Sequence, residues 1–410
     1  MSENVSAAPA AKAPAAKFGG TGLTVGIVIA AIATVGGLVL WGLQLGGGFM
    51  DTNMRDLAPW GLSIAMLMFF VGLSVGSMVV ATAPRAFGFE GFGGVTKAAV
   101  WLAICSAVLA IGFVVVDLGQ PLRLWELFAY SNLGSPLMWD IIVLAVYLIL
   151  SIVYLWTLVR ADAGKVSAKA LRIVSIVVLV CAVLVCAVDA WIFSLMPGRA
   201  MWNTALLAPW FISSALASGT ALVLLVAVAL RRAGYLALDQ KNVVKLAKLM
   251  GVFICVDLFF FACDLITEGF PGGAGAGIVA MLTDGPLAPL FWTQIVGCVL
   301  AVLICFVPQL RTTPLVVVAG LLTVVGIFCK RIQLVVGGFQ IPAFGDLSTF
   351  VTPFTSTVDW GQGLAGAYAG MVYAPTLPEI GLAVGILGLG ALMVLLGVKF
   401  LALKPTKESC

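Results

Sequence analysis

The sequence predicts an all-α polytopic membrane protein of about ten transmembrane helices, arranged as two same-orientation four-helix bundles flanked by single helices. Three observations carry that prediction: an apolar composition foreign to soluble domains, ten apolar runs of membrane-spanning length, and a series of motifs that recurs in order. Of 410 residues, 62% are hydrophobic and only 10% charged, whereas soluble domains carry about a quarter charged residues and are less than half apolar.

A membrane helix needs about 20 mostly apolar residues. Ten segments qualify: 23–45, 60–83, 97–117, 137–159, 171–195, 208–230, 245–267, 287–307, 314–337 and 378–401. Residues 1–22 read as a disordered cytoplasmic tail, because they are polar, rich in Ala and Pro, and lack an apolar run followed by a cleavage box. The chain then divides into a first helix and outer loop (23–57), a first four-helix unit (58–200), a second (201–342), an outer loop (343–377), and a last helix with a cytoplasmic tail (378–410). The loop at 338–377 holds only two charges, Asp346 and Asp359, and is expected to lie over the membrane surface or to re-enter it.

Basic residues set the orientation. Seventeen of the 22 Lys and Arg fall on the side of the N-terminus; the other five are Arg55, Arg123, Arg199, Lys330 and Arg331. Both termini are therefore expected in the cytoplasm. The outward loops are poor in Lys and rich in Trp, Tyr, Phe, Pro and Gly, which suits an interfacial belt or a face for a partner protein.

The repeat rests on three matches in order. Ala58-Pro-Trp60 recurs as Ala208-Pro-Trp210, and each leads into a small-residue stretch, Gly72-Leu-Ser-Val-Gly-Ser77 and Ala215-Leu-Ala-Ser-Gly-Thr220. Asp117 ends the third span and Asp264 the seventh. Gly134-Ser-Pro-Leu-Met-Trp139 opens the fourth span, and Gly285-Pro-Leu-Ala-Pro-Leu-Phe-Trp292 the eighth. Units of four spans repeat with the same orientation about an axis along the membrane normal.

The chain contains no histidine, which excludes bis-histidine haem b and every His-based metal site. Proton chemistry must then run on Asp, Glu, Tyr, Lys or water. The nine cysteines show no C-x-x-C spacing, and eight lie in apolar runs, where a free cysteine packs as a small hydrophobe. Neither haem nor an iron–sulfur cluster is expected in this chain, and no metal site.

Ionisable residues within spans are costly and mark functional candidates. Around the outer end of the first unit stand Asp117, Arg123, Glu126, Asp140 and Asp189, interleaved with Trp125, Tyr130 and Trp139. The second unit carries Asp257, Asp264, Glu268, Lys330 and Arg331. Asp257 and Asp264 are seven apart and share a helix face, so Lys330 and Arg331 can neutralise them across the bundle. Interhelical ion pairing accounts for the second set as readily as function does. In the first, carboxylates, an arginine and aromatic rings near one membrane face suit a quinone headgroup, whose carbonyls want donors and whose reduction takes two protons with two electrons. A partly desolvated carboxylate can shuttle such protons.

These residues carry a family resemblance. The run Ala58-Pro-Trp-Gly-Leu through Phe69-Phe-Val-Gly-Leu-Ser-Val-Gly-Ser77, the loop Asp117-Leu-Gly-Gln-Pro-Leu-Arg-Leu-Trp125 and the helix start Ser135-Pro-Leu-Met-Trp-Asp140 resemble the NrfD/PsrC-like membrane subunits of polysulfide-reductase-type complexes. Ten spans rather than eight resemble the branch that includes the membrane subunit of menaquinone reductase complexes. The resemblance implies a haem-free, quinone-interacting subunit of a respiratory oxidoreductase complex in the bacterial inner membrane. It would exchange electrons between menaquinone and a periplasmic iron–sulfur subunit, accompanied by molybdopterin-type and multihaem cytochrome c subunits. Besides those subunits it implies membrane lipid as a partner, and no nucleic acid. Carried over by position, Asp117 and Asp140 become the catalytic carboxylates, and Arg123, Tyr130, Trp139, Trp60 and Ser77 the quinone contacts. Asp117 stands where many members have histidine, and Gln120 where a basic residue is common. Asp189, Asp257, Asp264, Lys330 and Arg331 are the candidates for a proton path. The alternative reading is a secondary transporter, since a four-plus-four repeat with buried charges suits that class too.

Overall fold

The computed structural model describes residues 20–54, 58–88, 93–236, 238–270, 275–340 and 373–401. Among these, ten helices are long and apolar enough to cross a membrane. They are α1 (Thr21–Gly47), α2 (Leu62–Phe87), α3 (Thr96–Asp117), α5 (Pro136–Asp162), α6 (Ala168–Ser194), α7 (Leu207–Arg232), α8 (Gln240–Glu268), α10 (Ala288–Phe306), α11 (Thr313–Gln340) and α12 (Leu377–Phe400). Each coincides with an expected span, the largest shift being the start of α8. Most of the tail at 1–22 and most of the loop at 343–377 lie outside the described residues.

Two short helices interrupt loops that the apolar pattern leaves blank, α4 (Leu124–Ala129) and α9 (Ala276–Thr283). They are too brief to register against a twenty-residue window. Helix starts follow local chemistry. Pro136 opens α5 at a position that needs no N–H. The Ser167 hydroxyl accepts from the Ala170 N–H to cap α6, and Thr376 with Glu379 forms a capping box at α12.

The packing follows the repeat. Within the first unit α2 packs on α3 and α6, α5 on α6, and α3 on α5; α7 on α8 and α11, α10 on α11, and α8 on α10 repeat those pairings in the second. The units meet where α2 crosses α7, and α2 also touches α11 as α7 touches α6. The two matching small-residue stretches are that crossing: a Cβ on Gly76 would overlap the Ala215 carbonyl, and one on Gly219 would overlap Gly76. Without a hydrophobic drive between helices in lipid, such close backbone approach supplies the packing energy. The helices α1 and α12 pair with each other through Gly37 and Gly385, and α12 lies against α3.

One sequence expectation is corrected here. The charge count groups Lys330 and Arg331 with the outer face, yet both sit inside α11, each 1% exposed. Ten residues separate Lys330 from the C-terminal end of α11, about 15 Å along a helix. The expected span 314–337 already encloses both cations, so it is the charge count, and not the span, that assigns them to a membrane face.

Candidate functional site

Charge in a helix bundle must be paired or turned inward, and the described residues place the candidates in three groups. The first is a cleft of about 390 Å³ at the turn before α5, lined by Arg123, Glu126, Tyr130, Asn132, Met138 and Ile141 among others. Arg123 donates through Nε and Nη2 to the two oxygens of Glu126 at 2.8 and 2.9 Å. The guanidinium is largely exposed, so the pair orients the loop more than it stabilises it. Tyr130 is 80% exposed at the rim. Trp139 is half exposed, and its indole N–H donates to the Leu133 carbonyl at 2.8 Å.

The second group is buried and spans both units. One turn of α5 presents Met138 and Ile141 to the cleft while Asp140 turns inward, 4% exposed. There Asp140 meets the field of Asp189 from α6. Neither oxygen of Asp189 has a hydrogen-bond partner; its nearest counter-charge is Arg331 of α11. Arg331 donates to the Ser214 hydroxyl at 2.7 Å and lies 3.7 Å over the Phe211 ring. Beside it, Lys330 donates to Asp257 Oδ1 at 2.5 Å and sits 3.9 Å over the Trp210 ring. The Ser213 hydroxyl donates to the same oxygen at 3.1 Å. Further out, Asp264 accepts from the Thr204 hydroxyl at 2.9 Å. Three acids (Asp140, Asp189, Asp257) thus face two bases (Lys330, Arg331) in a fully buried row.

The third group gathers the start of α2, the end of α3 and the start of α12. The Tyr373 hydroxyl accepts from the Leu62 N–H at 2.8 Å and donates to Glu379 Oε1 at 2.6 Å. Burial, then the Glu379 hydrogen bond, raises the Tyr373 phenol above its ordinary value. Asp117 lies in the field of both Glu379 and Tyr373, and its Oδ1 is buried without a partner.

The expected residues are therefore divided. Arg123 and Tyr130 share the cleft, Asp140 and Asp189 share the buried row with Arg331, and Asp257 with Lys330 continues it. Asp117 sits instead with Glu379. Trp60 stacks on Trp202 with centroids 5.8 Å apart and meets Phe193 and Phe339 edge-on, an aromatic cluster that joins α6, α11 and the start of α2. Ser77 is buried at the α2–α7 crossing, its hydroxyl 3.4 Å from the Gly219 carbonyl.

Sequence reasoning missed Ser213, Ser214, Tyr373 and Glu379. A serine pair following Trp210-Phe211 in an apolar helix was a usable signal, as was the Thr376-x-x-Glu379 capping signature. Nothing local marks Tyr373 as the link between two helix starts. Among the described residues no group of three His, Cys, Asp or Glu side chains is placed to hold a metal ion.

The fold and these groups define a multi-pass membrane protein of two repeated helix units with acids and bases paired between helices. The chain belongs to the NrfD family (polysulphide reductase, NrfD), whose profile matches residues 50–343. It is similar along most of its length to a Halobacterium salinarum protein named as a candidate membrane subunit of a dimethyl sulfoxide reductase, with 29% identity over 92% of this chain and 90% of the relative. A selenate reductase subunit of Mesobacillus selenatarsenatis is 25% identical, covering 89% and 91% of the two chains. The Hdr-like menaquinol oxidoreductase integral membrane subunit of Archaeoglobus fulgidus is 23% identical over 93% of each.

Proposed function

We propose that this chain is the quinone-reactive integral membrane subunit of a respiratory oxidoreductase complex of the menaquinone reductase type. In this reading it exchanges electrons between menaquinone and a periplasmic iron–sulfur subunit, which molybdopterin-type and multihaem cytochrome c subunits accompany. The distribution of Lys and Arg supports both termini in the cytoplasm and an inner-membrane location.

The observation that carries the reading is the turn of α5 that borders the Arg123–Tyr130 cleft on one side and buries Asp140 beside Asp189 on the other. Quinone reduction to quinol consumes two electrons and two protons, and oxidation returns them. Arg123, released from Glu126, and Tyr130 supply donors for the carbonyl oxygens. Asp140 lies one turn away to deliver or take the proton. Three buried acids against two bases leave one acid without a counter-charge, and burying it ionised is costly. A carboxyl that holds a proton in such a row can hand it on. Asp189, Arg331, Asp257, Lys330 and Asp264 then continue the path across the second unit.

The test is Asp140→Asn in the native complex. Quinone turnover should be abolished while the complex assembles with its partners; turnover at the wild-type rate would remove the site assignment. One observation favours secondary transport as a second reading: the Lys330–Asp257 pair lies deep in the bundle, the depth at which transporters bind substrates. Uptake of a labelled solute by proteoliposomes holding this chain alone would bring that reading forward.

A further inference from the structure

A second cavity lies between α7 and α12, across the faces of α2 and α3. It measures about 340 Å³ and is lined by Phe70 and Leu73 of α2, Leu102 and Leu109 of α3, Leu222 of α7, and α12 from Leu387 to Leu395. Its walls are almost wholly hydrocarbon. The α2 and α3 walls are buried, whereas Leu387 and Ala391 of α12 are exposed, so the cavity is a groove that opens sideways past α12, where lipid would lie. It exists because α12, which lies outside the NrfD match of residues 50–343, packs chiefly on α1 and α3. The Trp101 indole of α3 pins it there by donating to the Met393 carbonyl at 3.1 Å, and a gap remains towards α7.

Size and charge decide the occupant. From Leu387 to Leu395 the groove runs about 12 Å along α12. A helix 10–12 Å across would need roughly 1,000 Å³ over that length, so the groove admits a hydrocarbon chain and no further helix. Leu387, Ala391, Leu395 and Lys399 are each four residues apart and form one ridge of α12. The row that borders the groove therefore leads to an ammonium one turn beyond it. Lys399 is exposed, lies 5.1 Å over the Phe400 ring, and takes part in no ion pair among the described residues. Arg232, the last residue of α7, is exposed and has no ion pair among them either. Three residues beyond it, the Tyr235 hydroxyl donates to the Leu401 carbonyl at 3.3 Å, which holds the basic ends of α7 and α12 side by side. Lys97, at the start of α3, is occupied by Asp162. An apolar groove that leads to two cations without acid partners suits an amphiphile with a negative headgroup; an uncharged lipid would leave both cations to water.

We propose that the groove between α7 and α12 binds an anionic phospholipid, one acyl chain within the groove and its phosphate at Lys399 and Arg232. Ammonium and guanidinium groups make charge-assisted hydrogen bonds to phosphate oxygens, and basic pockets between spans hold anionic headgroups in this way. The bound lipid fills the gap beside α12 and fastens that helix, and α1 with it, to the rest of the bundle. Gly390 and Ala391 leave the groove open by having almost no side chain; a bulky side chain at Ala391 would fill it from the lipid side without disturbing the buried walls.

The experiment uses the native complex in nanodiscs of phosphatidylcholine and a phosphatidylglycerol probe with a photoreactive diazirine on one acyl chain. Peptides 102–109 of α3 and 387–395 of α12 should be labelled. Excess unlabelled phosphatidylglycerol should suppress that label at least tenfold, and added phosphatidylcholine should not. Label on the lipid-exposed faces of α1 and α5 marks boundary lipid and should yield equally to both. Ala391→Trp should lower the α3 and α12 label at least tenfold and spare that on α1 and α5; Leu387→Trp, on the exposed rim, serves if Ala391→Trp does not assemble. Lys399→Gln combined with Arg232→Gln should erase the preference for phosphatidylglycerol. Absence of label on α3 and α12, label there that yields equally to both lipids in the unaltered complex, or label that persists in both tryptophan variants would overturn the proposal. A preference that survives loss of both cations would overturn the headgroup assignment.

Discussion

Lys330 donates to Asp257 at 2.5 Å, tying α11 to α8 with both side chains withdrawn from solvent. Removing one partner leaves the other charged and unpaired in a low-dielectric interior. Lys330→Met and Asp257→Leu are each expected to destabilise the protein by about 3–5 kcal/mol. Lys330→Met combined with Asp257→Leu should recover most of that loss. Thermal unfolding of the four proteins in one detergent forms the double-mutant cycle. Additive losses would show that the two side chains do not stabilise as a pair.

Arg331 is satisfied at Nη2 by the Ser214 hydroxyl, and its Nε and Nη1 have no partner. Ser214→Ala should therefore cost about 1–3 kcal/mol, the cost of an unsatisfied buried donor. Ser218→Ala, whose hydroxyl donates only to carbonyls of its own helix, should cost clearly less. Equal shifts in melting temperature would argue that Arg331 finds its stabilisation elsewhere, over the Phe211 ring.

The α2–α7 crossing depends on absent side chains. Gly76→Val places methyl groups where the Ala215 carbonyl already lies, a clash that costs about 1–3 kcal/mol or more when the backbone cannot yield. Gly42→Val on α1 meets open space and should be tolerated. Size-exclusion profiles after membrane extraction distinguish them: aggregation of the first variant with a monodisperse second is expected.

At α12 the Thr376 hydroxyl accepts from the Glu379 N–H while Glu379 reaches back to the Thr376 N–H at 2.7 Å. Thr376→Ala should cost about 1 kcal/mol. Wild-type stability in that variant would mean that packing on α1, and not the cap, holds the helix start.

Tyr373 supplies a pH prediction. Burial, then Glu379, raises its phenol, so the hydrogen bond it donates is intact below the ordinary tyrosine range near pH ~10 and is lost only above it. Stability contributed by this contact is thus present at neutral pH and falls as the solution becomes strongly alkaline. In an alkaline titration followed by tyrosinate absorbance, Tyr373→Phe should leave the rise near pH ~10 unchanged. A loss of amplitude there would show that Tyr373 titrates as an exposed phenol does.

How much of this was legible without coordinates differs between fold and site. All ten spans were, because about twenty apolar residues are needed to cross a membrane and nothing in the turns imitates them. The absence of histidine and the identity of every acid and base available for proton chemistry follow from composition. The paired small-residue stretches also announced themselves, although not that they would pack on each other. Which charges meet was another matter. Helical periodicity assigns a residue to a face of its own helix and says nothing of the neighbour that face will touch. Asp117 and Asp140, 23 residues apart and alike in the sequence, part company: α3 leans on α12 and brings Asp117 to Glu379, while α5 packs on α6 and brings Asp140 to Asp189. Lys330 and Asp257, 73 residues apart, become partners because α11 and α8 both pack against α7. Composition and hydropathy determined that this protein is a membrane bundle with a few expensive charges. The close helix crossings decided where those charges lie, since a buried ion takes as its counter-charge whichever group packing brings within reach.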